Sequence, residues 1–452
     1  MFSFDPTALK QRALHAVGWT LSGSGANLMI RLGSNLVMTR LLVPEMFGVM
    51  TIAAMVTTIL GMLSDIGVRQ HIVQNQRGDD PAFLDTAWVV SIIRGVVLWV
   101  VALLLSGALY LANLGGIFPV NSVYASSVLP FVISVSSFQA VIIGFQSTKM
   151  ATAHRNFDQK RLVQIETISN FAGVVVMVLF GVISHSIWAL VAGGLVVSLS
   201  ATTLSHTWLK GHPNRFRRDE GALRELIGFG KWIFTSSVFS VLAANGDRLL
   251  LGALVDARVL GLYAIALLIV GAIERVLRNL YIMVSLPALS DIARNNPKIL
   301  REVYYKMRVP SDLLLLFLTG LLFASGQLVI DLLYDSRYSE TGSMLQILSL
   351  SLITVRYGVA NQAYLAMGVP RYLAVVNVVR FVSFYVLVPL LHHLAGLQGA
   401  IWGIALHSLV TVPFVYLFNA KLGLNDFRRE LWVLIALPVG FLCGSALNLV
   451  RG

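Results

Sequence analysis

LLVPEMFGVMTIA, residues 41–53, aligns without a gap on LVDARVLGLYAIA, residues 254–266, when the chain is slid along itself by 213 positions. The same offset lays Trp19 on Trp232, Gly33 on Gly246, Gly48 on Gly261, Ile52 on Ile265 and Ala53 on Ala266. Both copies lie in apolar surroundings. With 56% hydrophobic and 12% charged residues over 452 positions and a mean hydropathy of +0.77, the chain has the composition of a polytopic membrane protein. Windows of about 20 apolar residues mark about thirteen transmembrane helices. Six windows precede the second copy. That even number sends both copies into the membrane in the same direction, as parallel repeats about an axis along the membrane normal.

The expected architecture is all-α: an N-terminal six-helix lobe over residues 1–210, a hydrophilic cytoplasmic linker at 211–227, a C-terminal six-helix lobe over 228–420, and an extra C-terminal transmembrane helix within 421–452. Lys and Arg orient it. They crowd the loops that share a side with the N-terminus, among them Lys149 to Arg161, Lys210 to Lys231 and Arg294 to Arg308. Stretches 111–122, 184–186 and 392–395 on the other side carry none. This asymmetry puts the N-terminus in the cytoplasm. Asp65 and Gly67 read as a helix stop, and Pro44, Glu45 and Gly48 as a short turn with a helix start.

The net charge of +12 does not indicate nucleic acid, because the basic residues are scattered through short loops with no aromatic-basic platform. The lone Cys443 cannot form an intrachain disulfide. His392 and His393 lack the Cys, Asp or Glu partners of a metal site. No phosphate-binding glycine loop is present. No cofactor is expected.

The chemistry lies in deeply placed cations. Arg31, Arg275, Arg278, Arg356 and Arg380 sit well inside apolar windows, accompanied there by one clear acid, Glu274. A charge near mid-bilayer costs about 2.5–3.5 kcal/mol on insertion scales, so such residues face a polar cavity or a partner. One glutamate cannot neutralise five arginines. Guanidinium groups bind phosphates in a planar, bidentate way that ammonium cannot copy, and every deep cation here is Arg. In the first window Asn27, Arg31, Ser34 and Asn35 share a helical face. In the eighth, Glu274 and Arg278 are one turn apart, which leaves Arg275 available. Arg356 precedes Tyr357, Asn361 and Tyr364 in the tenth window, and Asn377, Arg380 and Ser383 form a stripe in the eleventh. Arg94 lies about two turns inside its window and is expected to snorkel to the surface. The expected anion site therefore joins the arginines with Asn and Tyr groups that meet sugar hydroxyls, and Glu274 is the one candidate for ion coupling. The repeat equivalent of Glu274 is Gly61, so the second lobe is expected to hold the anion and the first to gate it.

A family resemblance joins these readings. TRLLVPEMFGVMTIAAMVTTILGMLSDIGVRQHIVQ (39–74), TAWVVSIIRGVVL (86–98), HRNFDQKRLVQIETISN (154–170) and DRLLLGALVDARVLGLYAIA (247–266) resemble Wzx-type polysaccharide flippases of the multidrug/oligosaccharidyl-lipid/polysaccharide exporter superfamily. The resemblance implies two six-helix lobes around a central cavity. It also implies alternating-access movement of undecaprenyl-diphosphate-linked oligosaccharides from the cytoplasmic to the periplasmic leaflet of a bacterial inner membrane, with a polysaccharide polymerase and export machinery as partners. Two alternatives stand beside it. A cation-coupled multidrug exporter would share the fold but should have an acidic interior. A membrane polymerase or ligase would need reactive groups in a large outer loop, and the outer loops here are short.

Overall fold

The computed structural model describes residues 6–63, 68–74, 77–156, 158–225 and 245–451. Among them there are helices and turns but no strands. Among the described residues nine helices are long and apolar enough to cross a membrane, or ten if the bent pair Leu129–Gly144 and Lys149–Arg155, which meet at 64°, counts as one span. Of the expected windows, the first is helical throughout α1 (Pro6–Leu41). Most of the seventh, and Asp65 with Gly67, lie outside the described residues. The eleventh and twelfth run together in one apolar stretch, Pro370–Lys421. Ala395 and Gly396 leave helical geometry within it, and Gly396 adopts a φ of 59°, a conformation open to a residue without Cβ.

The chain divides into two compact units, Met1–Gly261 and Leu262–Gly452. In the first, α1 is followed by α2 (Pro44–Leu63), α3 (Val68–Gln74), α4 (Pro81–Leu114), α5 (Leu129–Ser136), α6 (Gln139–Gly144), α7 (Lys149–Arg155), α8 (Gln159–Ser184) and α9 (Trp188–Thr207). Pro44 opens α2 and Pro81 opens α4, positions where a missing N–H costs nothing. The Asp80 side chain accepts from Ala82 N–H and caps α4, and Arg77 beside it holds this carboxyl below its ordinary range. Arg94 is half-buried. Its Nη2 donates to the Gly61 carbonyl at 2.8 Å and satisfies one of the carbonyls that the end of α2 leaves open. Outward residues such as Leu104 and Ile183, 69% and 82% exposed, suit contact with lipid.

The hydrophilic segment after α9 is fastened to this unit. Asp85, buried one turn into α4, accepts from His212 Nε2 at 2.8 Å and from Arg215 N–H at 2.9 Å. Asp219 N–H donates to Thr86 Oγ1, and the Asn214 side chain bonds Ser147 and Thr148. Residues 245–261, which belong to the second copy of the repeat, also pack here. Val123 N–H donates to the Val255 carbonyl, and Tyr124 OH donates to that of Leu249.

The repeat is written into one of these contacts. A Cβ on Gly48 would strike the Ala257 carbonyl, and a Cβ on Gly261 would strike that of Pro44. Pro44 and Ala257 are themselves repeat equivalents at the 213-residue offset. The two contacts are therefore the same contact seen from each copy, the signature of a two-fold relation. Two backbones meet where only a hydrogen fits.

The second unit continues from α10 (Ala257–Leu280), which spans the division, through a π turn at Tyr281–Ser285, α11 (Leu286–Asn295), α12 (Leu300–Leu333), α13 (Thr341–Ser349), α14 (Leu352–Val355), α15 (Gly358–Ala366), α16 (Pro370–Leu406), α17 (Val412–Lys421), α18 (Phe427–Val433) and α19 (Ala436–Arg451). Helix α19 lies closely on α12. A Cβ on Gly320 would meet the Leu437 carbonyl, and those on Gly440 and Gly444 would meet the carbonyls of Phe317 and Leu321. Small residues four apart allow such approach in a membrane, where apolar burial gives no drive of its own.

Gly48→Ala and Gly261→Ala should each destabilise the protein by about 1–3 kcal/mol through overpacking against backbone that cannot rotate away. Gly271→Ala, in open space, should be neutral or gain helix propensity of up to about 1 kcal/mol. Thermal unfolding of the three variants in one detergent checks this ranking.

Candidate functional site

The last two turns of α10 carry Glu274, Arg275 and Arg278. Glu274 Oε1 is ion-paired with Arg278 Nη2 along the helix. Arg275 is exposed and has no ion pair or hydrogen bond from its side chain among the described residues. The helix then widens into the π turn, a local irregularity frequent at functional sites. Gly358 holds this turn against α15, since a Cβ there would overlap the Tyr281 ring.

Arg380 on α16 is half-buried, and its Nε has no hydrogen-bond partner among the described residues. Glu274 and Arg278 are near enough to act on it electrostatically. Asn377, one turn earlier, is exposed. The Arg278 and Arg380 guanidiniums therefore lie near one carboxylate, with Arg275 next to it in sequence and exposed, which leaves an excess of positive charge. Such an excess suits a phosphate or diphosphate, and the exposed Arg275 supplies donors that no described protein acceptor takes.

Arg356 lies elsewhere in the unit, at the break between α14 and α15, and the structure revises its expected setting. It is 2% exposed, and its Nη2 donates to Glu430 Oε2 at 2.7 Å. Arg308 on α12 binds the same carboxylate through both terminal nitrogens, with Nη2 2.9 Å from Oε2, and its Nε is 3.1 Å from Asp312 Oδ2. Asp312 also lies 3.9 Å from Arg356 Nε. Tyr305 and Tyr416 donate to Glu430 at 3.0 and 2.9 Å. The Tyr357 ring lies between the two cations, 4.9 Å from each guanidinium carbon. Two positive and two negative charges, each no more than 3% exposed, form a closed and neutral cluster. Asp312 Oδ1 and Arg356 Nη1 lack hydrogen-bond partners among the described residues, so charge is matched more completely than hydrogen bonding.

The expectation that Glu274 alone would oppose the deep arginines is thus corrected. Asp312 lies at the start of the apolar window 311–334 and Glu430 immediately precedes the window 431–450, so neither falls well inside an apolar run. The i,i+4 spacing of Arg308 and Asp312 was the available signal. Asn361, one turn beyond Tyr357, is half-buried with Oδ1 unpartnered among the described residues. In the first unit, Asn27 Oδ1 accepts from Asn170 Nδ2 of α8 at 3.1 Å, Arg31 is exposed and Asn35 half-buried. Among the described residues no group of three His, Cys, Asp or Glu side chains is arranged to hold a metal.

Comparison with known proteins adds family and fold. The sequence profile of the family described as polysaccharide biosynthesis protein matches residues 37–343. An uncharacterised membrane protein of the cps region of Klebsiella pneumoniae is 22% identical over 302 residues, 66% of this chain. The chain spans only 60% of that relative's length. The lipopolysaccharide biosynthesis protein WzxC of Escherichia coli K12 is 21% identical over 346 residues, covering 75% of this chain and 67% of WzxC. Among solved structures, the lipid II flippase MurJ in an inward closed conformation superposes with a TM-score of 0.69 at 14% identity, over 94% of this chain and 92% of MurJ. An inward-facing multidrug resistance MATE family transporter of the MOP superfamily superposes at 0.68 with 13% identity, over 88% and 94%. These likenesses establish the fold.

Breaking the buried cluster on one side strands a charge. Glu430→Leu should destabilise the protein by about 3–5 kcal/mol. Arg356→Leu combined with Glu430→Leu leaves Arg308 balanced by Asp312 and should recover part of that loss. The midpoint of heat-induced aggregation, read by size-exclusion chromatography, orders the two variants.

Proposed function

Because the chain belongs to the polysaccharide biosynthesis protein family, we propose that it is a lipid-linked oligosaccharide flippase of a bacterial inner membrane. In this reading it carries undecaprenyl-diphosphate-linked repeat units from the cytoplasmic to the periplasmic leaflet by alternating access, with the N-terminus cytoplasmic and no chemistry performed on the cargo. A polysaccharide polymerase and export machinery receive the product. The carrying observation is the excess of positive charge at Arg275, Arg278 and Arg380 inside apolar helices, with one nearby carboxylate and with donors that no protein group accepts.

A diphosphate supplies the missing negative charge and many acceptor oxygens. Arg275 and Arg380 bind it directly in this reading, Arg278 stays paired to Glu274, and Asn377 and Asn361 meet saccharide hydroxyls. Asn27, Arg31 and Asn35 serve the same cargo from the N-terminal lobe over residues 1–210, and the segment over 211–227 links it to the lobe over 228–420. Arg356 and Tyr357 support the site from within their neutral cluster and do not touch the cargo. Glu274 is the standing counter-charge of Arg278.

A multidrug exporter is the second reading, favoured by a fold likeness to the MATE transporter nearly equal to that to MurJ. Charge separates the two, because a cationic drug would meet an excess of guanidinium.

Arg275→Ala and Arg380→Ala should each lower transport of a lipid-linked saccharide in proteoliposomes by tenfold or more, the loss of one charge-assisted bond of about 1.5–3 kcal/mol. Arg275→Lys should retain part of it. Undiminished transport by the double alanine variant, or accumulation of cationic dye by the unaltered protein, would remove this assignment.

A further inference from the structure

The second unit contains a polar recess that the cation group does not use. It has a volume of 440 Å³ and is walled by α12, α13, the second half of α16 and α19. Phe323, where α12 enters the wall, lies 15 residues beyond Arg308, about 22 Å along the helix, so the recess is at the far end of the unit from the buried charge cluster. Three helices each contribute a pair one turn apart: Ser343 with Gln346, Gln398 with Trp402, and Phe441 with Ser445. Residues at these spacings point the same way. Each pair brings a hydrogen-bonding group, and two bring an aromatic ring.

Ser343 Oγ donates to the Glu340 carbonyl at 3.0 Å, but four other polar side chains of this recess are not consumed by the protein. Gln346, Trp402 and Ser445 are half-buried and Gln398 stands at the rim. None of the four has a side-chain hydrogen bond among the described residues. All four line the recess. Unpaired carboxamides and an indole N–H on membrane-spanning helices are costly unless something polar meets them. The walls are preformed. A Cβ on Gly326 would press on Gln346, and one on Gly444 would press on Leu321 and Ala324, so α13 and α19 are held tightly on α12. The break at Ala395 and Gly396 resets α16 so that Gln398 and Trp402 enter the wall from a new helical start.

We propose that this recess binds a pyranose ring. A sugar has an apolar C–H face that suits Trp402 and Phe441, and a rim of hydroxyls that both donate and accept. Carboxamides answer both roles, and serine hydroxyls do the same. A charged ligand has no partner there, since none of the six side chains is ionisable. The volume falls in the range of small-molecule sites, about 300–1,000 Å³. The proposal stands independently of the transport reading, because it concerns a recess without the arginines and holds whether or not the chain moves a diphosphate.

The sugar can arrive from water or as a membrane glycolipid, and two probes separate these sources. Saturation-transfer NMR on the full chain in phosphatidylcholine nanodiscs is recorded with methyl β-glucopyranoside, and lipid retention is measured by native mass spectrometry with glucosyl diacylglycerol. Binding of either probe, reduced at least fivefold by Gln346→Leu with Gln398→Leu and largely kept by Trp402→Phe, is the expected result. Preference for the soluble probe assigns a water-borne sugar, and preference for the glycolipid assigns a membrane-borne one. Should the double variant fail to fold, Gln398→Leu alone decides, since this residue is exposed and tolerates the change. Absence of binding by both probes, or binding that the substitutions leave unchanged, overturns the proposal.

Discussion

A charge within apolar helices must meet an opposite charge or face an opening, and both solutions occur in the second unit. Arg308 and Arg356 take the first, sharing Glu430 and Asp312 in a space with almost no solvent access. Arg275 takes the second, exposed beside a carboxylate already committed to Arg278. The same residue type thus has two fates a short stretch of sequence apart. The neutral cluster also determines architecture. It ties α12, the α14–α15 break and α18 together through one carboxylate, while glycines seat α19 on α12. The C-terminal helix is therefore part of the second unit's construction.

Duplication leaves a mechanical mark as well as a sequence one. Gly48 and Gly261 are equivalent positions that each approach the other copy's helix start, at Ala257 and Pro44. The contact is self-complementary, so a single evolutionary solution served both copies. The charges do not follow this symmetry. Glu274 has Gly61 as its counterpart, and the described buried ion cluster belongs to the second unit alone. The duplicated scaffold is thus nearly symmetric in its backbone contact and asymmetric in its described charges.

Much of the fold was legible because it rests on local signals. Apolar length marked the helices, Pro44 the start of one of them, and the 213-residue offset their repetition. The site was only partly legible. The pairing of Glu274 with Arg278 follows from helical spacing. The fate of Arg356 does not, because its partner Glu430 is 74 positions away and stands at the edge of an apolar run, where an acid reads as an ordinary interfacial residue. The acceptor of Arg94 was hidden for a related reason: it is a backbone carbonyl on another helix, and backbone acceptors leave no trace in side-chain identity.

The amino-acid sequence by itself determined the membrane class, the helical content, the duplication and the presence of unusually deep arginines. These depend on composition and on periodicities shorter than a few turns. Only tertiary structure decided which arginines are spent in ion pairs, and which polar side chains from α13, α16 and α19 meet around one recess. Such outcomes depend on partners far apart in the chain, and in a medium of low dielectric constant the position of a partner within a few ångströms decides whether a charge is neutralised or remains available to bind.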